Sequence, residues 1–81
     1  MKDRTNYWNG KLNLEQAHIT FGRILVLRDW ANAQESMNVA ELKVLEDIIL
    51  ECTANPYDCH QVIAMVNTRL DRIYSELLDN K

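Results

Sequence analysis

The sequence predicts an all-α fold: an antiparallel three-helix bundle with a short irregular N-terminal segment. Three observations lead there. Apolar residues recur at spacings of three and four through three separate stretches. The second and third stretches each open on a helix-start signature. Two Gly and one Pro in 81 residues are too few for a fold of many short strands and tight turns. A chain of this length is expected to form one domain, residues 1–81, that buries roughly 60–65% of the surface its unfolded form exposes. Self-association would add stability to so small a unit.

Residues 1–12 read as irregular, because Asn9-Gly10 is a strong turn dipeptide. Asn13-Leu14-Glu15-Gln16 then reads as a helix start, with Asn13 as cap and Gln16 reaching back to it, and the first helix is expected over about 14–34. The second start is Asn38-Val39-Ala40-Glu41, with Asn38 as cap and Glu41 as its reciprocal partner. Met37 and Leu42 stand at the spacing of a hydrophobic staple. That helix spans about 39–53 and turns Leu42, Leu45, Ile49 and Cys52 inward, with Ile48 widening the stripe. In the third start, Asn55 caps, Pro56 takes the first helical position and Asp58 faces the positive end of the helix dipole. The third helix covers about 56–78, and Cys59, Ile63, Val66, Leu70, Ile73 and Leu77 form a heptad seam along it. Short connections make neighbouring helices antiparallel.

The first helix carries apolar residues on two sides. Leu14, Ala17, Phe21, Ile24, Leu25 and Ala31 gather on one, and Ile19, Val26, Trp30 and Ala33 roughly opposite. A surface helix of a monomer needs one such stripe. Either the second stripe is an interface, or Tyr7 and Trp8 fold back over it as a lid. Gly22, in mid-helix, is a tolerated glycine or a point of close backbone approach. On the seam Ala17, Phe21, Ile24, Arg28, Ala31, Arg28 falls at a core position. Its guanidinium then reaches solvent along a packed stem, pairs between subunits, or holds an anionic ligand.

Charge is unevenly spread. Residues 1–28 carry about +3 and residues 29–81 about −6, so a bundle could present faces of opposite sign, and the net charge of −3 disfavours general nucleic-acid binding. The N-terminal mixture of Lys2, Arg4, Tyr7, Trp8 and Lys11 suits stacking on a base, a protein hot spot, or a partly ordered tail.

Cys52 and Cys59 flank the Asn55-Pro56 turn on inward stripes. In a cytosolic protein they read as buried small apolar groups, and in an exported or oxidised one as a disulfide. His18 and His60 complete no metal set, because adjacent Cys59 and His60 diverge by about 100° on a helix. There is no Gly-rich phosphate loop and no thiol–base pair, so neither enzyme activity nor a metal or other cofactor is expected. No apolar run is long enough for a membrane span, and none follows the charged N-terminus as in a signal peptide. A cytoplasmic location is therefore expected.

The expected function is that of a small protein-interaction module, a regulator or inhibitor acting by binding another macromolecule as a homo-oligomer, on a protein target, or both. A viral inhibitor of a host complex has this size. Its expected interface is Ile19, Val26, Trp30 and Ala33, with Arg28, Lys11, Trp8 and Tyr7 as anion or partner contacts. The alternative is an oligomeric protein that binds a nucleotide or nucleic acid through the basic, aromatic N-terminal third. A helix-turn-helix repressor does not fit, since the third helix has an apolar seam rather than a basic face.

Overall fold

A computed structural model describes residues 2–79 of the chain, with side chains from residue 10 onward. It is a three-helix bundle: α1 (Lys2–Ala33), α2 (Asn38–Ala54) and α3 (His60–Asp79), with a single 3-10 turn (Pro56–Asp58) between the last two. Among the described residues there is no strand. The molecule is a rod of 52 × 18 × 14 Å, with α1, about 48 Å long, as its spine.

Cross-helix contacts fix the topology. Thr20–Asn67, Arg23–Asp71, Trp30–Tyr74 and Gln34–Leu77 rise together along both helices, so α1 and α3 run parallel. Arg28–Glu46 and Asn13–Pro56 run in opposite order, so α2 descends between them. Both α2 and α3 pack more extensively on α1 than on each other.

Helix α1 differs from the sequence reading at its start. It begins at Lys2, not near residue 14, and runs straight through Asn9-Gly10. The glycine serves tertiary packing instead of a turn. Gly10 is buried, and a Cβ there would lie 2.9 and 3.0 Å from ring carbons of Tyr57. The bare Cα is the recess that receives the Tyr57 ring, and this contact outweighs the dipeptide's turn preference and the intrinsic cost of a helical glycine.

The inward seam of α1 also differs. It runs Gly10, Asn13, Ala17, Thr20, Ile24, Leu27, Ala31, a heptad pattern in which Thr20 and Leu27 replace the expected Phe21 and Arg28. Phe21 packs on the core from the flank, and Leu14 is likewise half-buried. Four of the seven seam residues are Gly, Ala or Thr, so α1 offers the shallow surface against which the Leu and Ile residues of its neighbours fit. The inward residues expected of the other helices are the ones found. Leu42, Leu45, Ile49 and Cys52 of α2 are buried, as are Cys59 and, on α3, Ile63, Val66, Leu70, Ile73 and Leu77; Ile48 packs at their edge.

Helix ends depart in detail. Asn38 does not cap α2. Its own backbone N–H donates to Ser36 Oγ at 3.1 Å, while Glu41 pairs with Arg69 instead of reaching back. Met37 is 94% exposed, so no staple forms with the buried Leu42. Asn55 makes no side-chain cap bond, and Pro56 opens the 3-10 turn instead of α3 itself. At the end of α1, Ser36 N–H donates to Ala31 O and Glu35 N–H to Asn32 O, with Glu35 at φ 56°. This is a Schellman motif with glutamate in the left-handed position usually given to glycine.

One arginine–carboxylate pair spans each of the three helix–helix grooves: Arg23–Asp71 between α1 and α3, Arg28–Glu46 between α1 and α2, and Arg69–Glu41 between α2 and α3. Partly exposed pairs of this kind add little stability each, about 0–1 kcal/mol. Their position makes them register marks, since sliding any helix by one turn breaks at least one of them. The α1–α3 groove is further fixed by a polar chain. Arg23 donates to Asn67 Oδ1 at 2.8 Å, and Asn67 Nδ2 donates to the hydroxyl of buried Thr20 at 2.9 Å and to Ile63 O at 3.1 Å. These pairs also dissolve the expected basic face of α1, because Arg23 and Arg28 are both engaged by acidic groups of the later helices.

Candidate interaction face

The second stripe of α1 flanks the groove between α1 and α3. Gly22, Arg23, Val26 and Leu27 of α1 and Asp71 and Tyr74 of α3 line a depression of about 480 Å³ there. Val26 stands 68% exposed on its rim, Ile19, seven residues earlier on the same side, is 61% exposed, and Tyr74 forms the opposite wall. The space over Gly22 is open, since a Cβ there would meet nothing within 4 Å. The Arg23–Asp71 pair, 2.8 Å apart, bridges the groove. Ala33 continues the exposed stripe toward the end of α1.

Trp30 is placed differently from its stripe companions. It is partly buried against the core, and its ring meets Tyr74 edge-to-face, with centroids 5.6 Å apart and planes at 67°. It braces Tyr74, a wall of the groove, so its truncation would disturb packing and surface together. Tyr74 stands one residue past the seam position Ile73, on the flank of α3 and outside its heptad seam. The signal that points to it is the flank of α3 carrying Asn67, Asp71 and Tyr74 at spacings of four and three, which faces α1 along its length.

Of the residues expected to contact an anion, the two whose side chains are described, Arg28 and Lys11, do not come together. Arg28 and Lys11 are 17 residues apart on one helix, about 25 Å along its axis. The Arg28 guanidinium is bonded to Glu46, not at a core seam position, and Lys11 is exposed. The side chains of Tyr7 and Trp8 lie outside the described residues, and with them the proposed lid.

A second, more polar cleft of about 840 Å³ opens at the α2–α3 turn, lined by Leu12, Asn13, Gln16, Tyr57, Asp58, His60 and Gln61. Asn13 Nδ2 donates to Pro56 O at 2.6 Å, and together with the Gly10–Tyr57 contact this ties the turn to α1. Beneath the turn, Cys52 and Cys59 are both buried and unbonded. Burial, followed by the hydrogen bond and charge of Cys59 and then the charge of Glu51, pushes the Cys52 thiol up to about 12. A thiol so reluctant to ionise is a poor nucleophile at neutral pH. Among the described residues, no group of three or more His, Cys, Asp or Glu side chains is placed to hold a metal ion, and no helix is long and apolar enough to cross a membrane.

No known family model, curated protein or solved structure matches the chain.

Proposed function

We propose that this chain is a small interaction module, a regulator or inhibitor that works by covering a surface of another macromolecule, and that the face it uses is the α1–α3 groove around Val26. The observation that carries the reading is the contrast within one helix. The inner seam of α1 is fully packed by its own chain, while Ile19 and Val26 remain more than half exposed beside an open, largely apolar groove. Exposed apolar residues beside an open groove that is bridged by the Arg23–Asp71 pair favour a contact site. The face suits a second copy of the chain, a protein target, or both in turn. The reading invokes no catalytic step and no cofactor.

The nucleotide-binding alternative keeps less support, because Arg23 and Arg28 are already engaged by Asp71 and Glu46. An affinity capture from the native host, run in parallel with wild-type chain and Val26→Asp, separates the readings. A single stoichiometric protein retained by wild type and lost by Val26→Asp supports the module. Co-purifying nucleotide or nucleic acid, retained equally by both, contradicts it.

A further inference from the structure

We propose that Cys52 and Cys59 form a reversible dithiol–disulfide site that exchanges with small disulfides of the glutathione class and, when oxidised, clamps the turn between α2 and α3. The inference does not depend on the interaction-module reading.

The two cysteines are the only ones in the chain, and both lie in the core, 3% and 8% exposed. Cys52 sits in the last turn of α2 and Cys59 immediately before α3, so the two flank the Asn55–Asp58 reversal and point into the same core. Both side chains belong to one buried core cluster beneath the turn, and Cys59 is near enough to bear on the ionisation of Cys52. Cys59 Sγ also donates to the carbonyl of Asn55 at 3.2 Å, which holds its side chain against the end of α2. A bond between them would close a short loop around the turn. The turn that it would fasten also carries Pro56 and Tyr57, the residues engaged by Asn13 and Gly10 of α1. Oxidation would thus stiffen the whole end of the bundle that forms the polar cleft.

The exchange proceeds in two displacements. Cys59 is the more exposed of the pair and lies outside both α-helices, so it meets the small disulfide first when the turn opens. Its thiolate attacks one sulfur of glutathione disulfide. The S–S bond breaks, one glutathione leaves as thiolate, and Cys59 is left as a mixed disulfide. Cys52, deprotonated, then attacks Cys59 Sγ and expels the second glutathione. The two protein protons end on the two departing thiolates, so two protein thiols are oxidised and one glutathione disulfide is reduced to two glutathiones. Cys52 ionises reluctantly, which makes the second displacement the slow, base-accelerated one.

The test incubates the full chain in glutathione buffers of graded oxidising ratio. The samples are quenched in acid and weighed intact by mass spectrometry, with and without urea. The native wild type should convert to a monomer lighter by two hydrogens, with Cys52 joined to Cys59, an unchanged helical spectrum and a higher melting temperature. Cys52→Ser should stop at a glutathione adduct on Cys59, and folded Cys59→Ser should remain unmodified. The proposal is overturned if native wild type stays fully reduced while the urea-unfolded chain oxidises. It is equally overturned if native wild type halts at the mixed disulfide or links only between chains. The wild-type measurements decide the matter even if a serine variant fails to fold.

Discussion

The two faces of α1 are built from the same helix and follow opposite rules. The inner face runs through Gly10, Asn13, Ala17, Thr20, Ile24, Leu27 and Ala31, and is closed by α2 and α3. Its side chains are mostly small, and its polar members are tied down, Asn13 to Pro56 and Thr20 to Asn67. The outer stripe of Ile19, Gly22 and Val26 carries two large β-branched groups that no part of the described chain covers. Size and apolarity therefore do not decide which face is core. What decides it is the match in shape with the neighbouring helices, and on the proposed reading the apolar groups left outside are where a partner would sit.

The largest effects should separate the two faces by stability. Leu70→Ala removes a fully buried side chain that packs against the inner seam, and should cost about 2–5 kcal/mol in denaturant unfolding. Val26→Ala, measured on the isolated monomer, should stay within about 0.5 kcal/mol of wild type, as exposed substitutions do. Equal losses would abolish the distinction.

Burial of the inner cluster should also show in pH. The folded Cys52 thiol is pushed up to about 12 from an ordinary value near 9.0. Below about pH 9 the thiol is protonated in both folded and unfolded chains, and its full contribution is present. As pH climbs from there toward 12, only the unfolded thiol ionises, and stability falls by up to about 4 kcal/mol. Unfolding curves between pH 8 and pH 12 should show this loss, reduced in Cys52→Ser.

The two glycines of α1 make a smaller and sharper contrast. Gly10→Ala must push the Tyr57 ring aside and should cost about 1 kcal/mol, despite the better helix propensity of alanine. Gly22→Ala meets open space and should gain about 0.5–1 kcal/mol for the monomer. Glu35→Gly should gain a similar amount, about 1 kcal/mol, by relieving the left-handed backbone after α1. Thermal melts of the three variants check both signs.

Much of the fold was legible in the sequence because α2 and α3 bury strong apolar residues at unbroken spacings of three and four, and helical periodicity reads those directly. Helix α1 was harder for a physical reason. Where two helices press closely on a third, its inner positions become Gly, Ala, Thr and Asn. Hydropathy then points to Phe21 beside Thr20, and the four-and-three spacing carries the seam on to Arg28 in place of Leu27. The Asn9-Gly10 signal failed for a related cause, since the need to admit Tyr57 arises 47 residues away. The start of α2 departs from the expectation because Met37, which has no capping group, takes the cap position, while Ser36 Oγ accepts the N–H of Asn38 from the preceding turn. Of the expected interface, Ile19, Val26 and Ala33 lie on the surface as a helical wheel places them. The wheel could not show that α3 supplies Tyr74 to meet Trp30, since single-helix geometry contains no neighbour.

The central claim is that the outer stripe of α1 is a contact face, and sedimentation at micromolar concentration tests it most directly. Wild type should run as a dimer, while Val26→Asp should run as a 9.5 kDa monomer with the same helical spectrum. A wild type that is monomeric at every concentration, with Val26→Asp as unstable as Leu70→Ala, would show that the stripe is ordinary core and contradict the account.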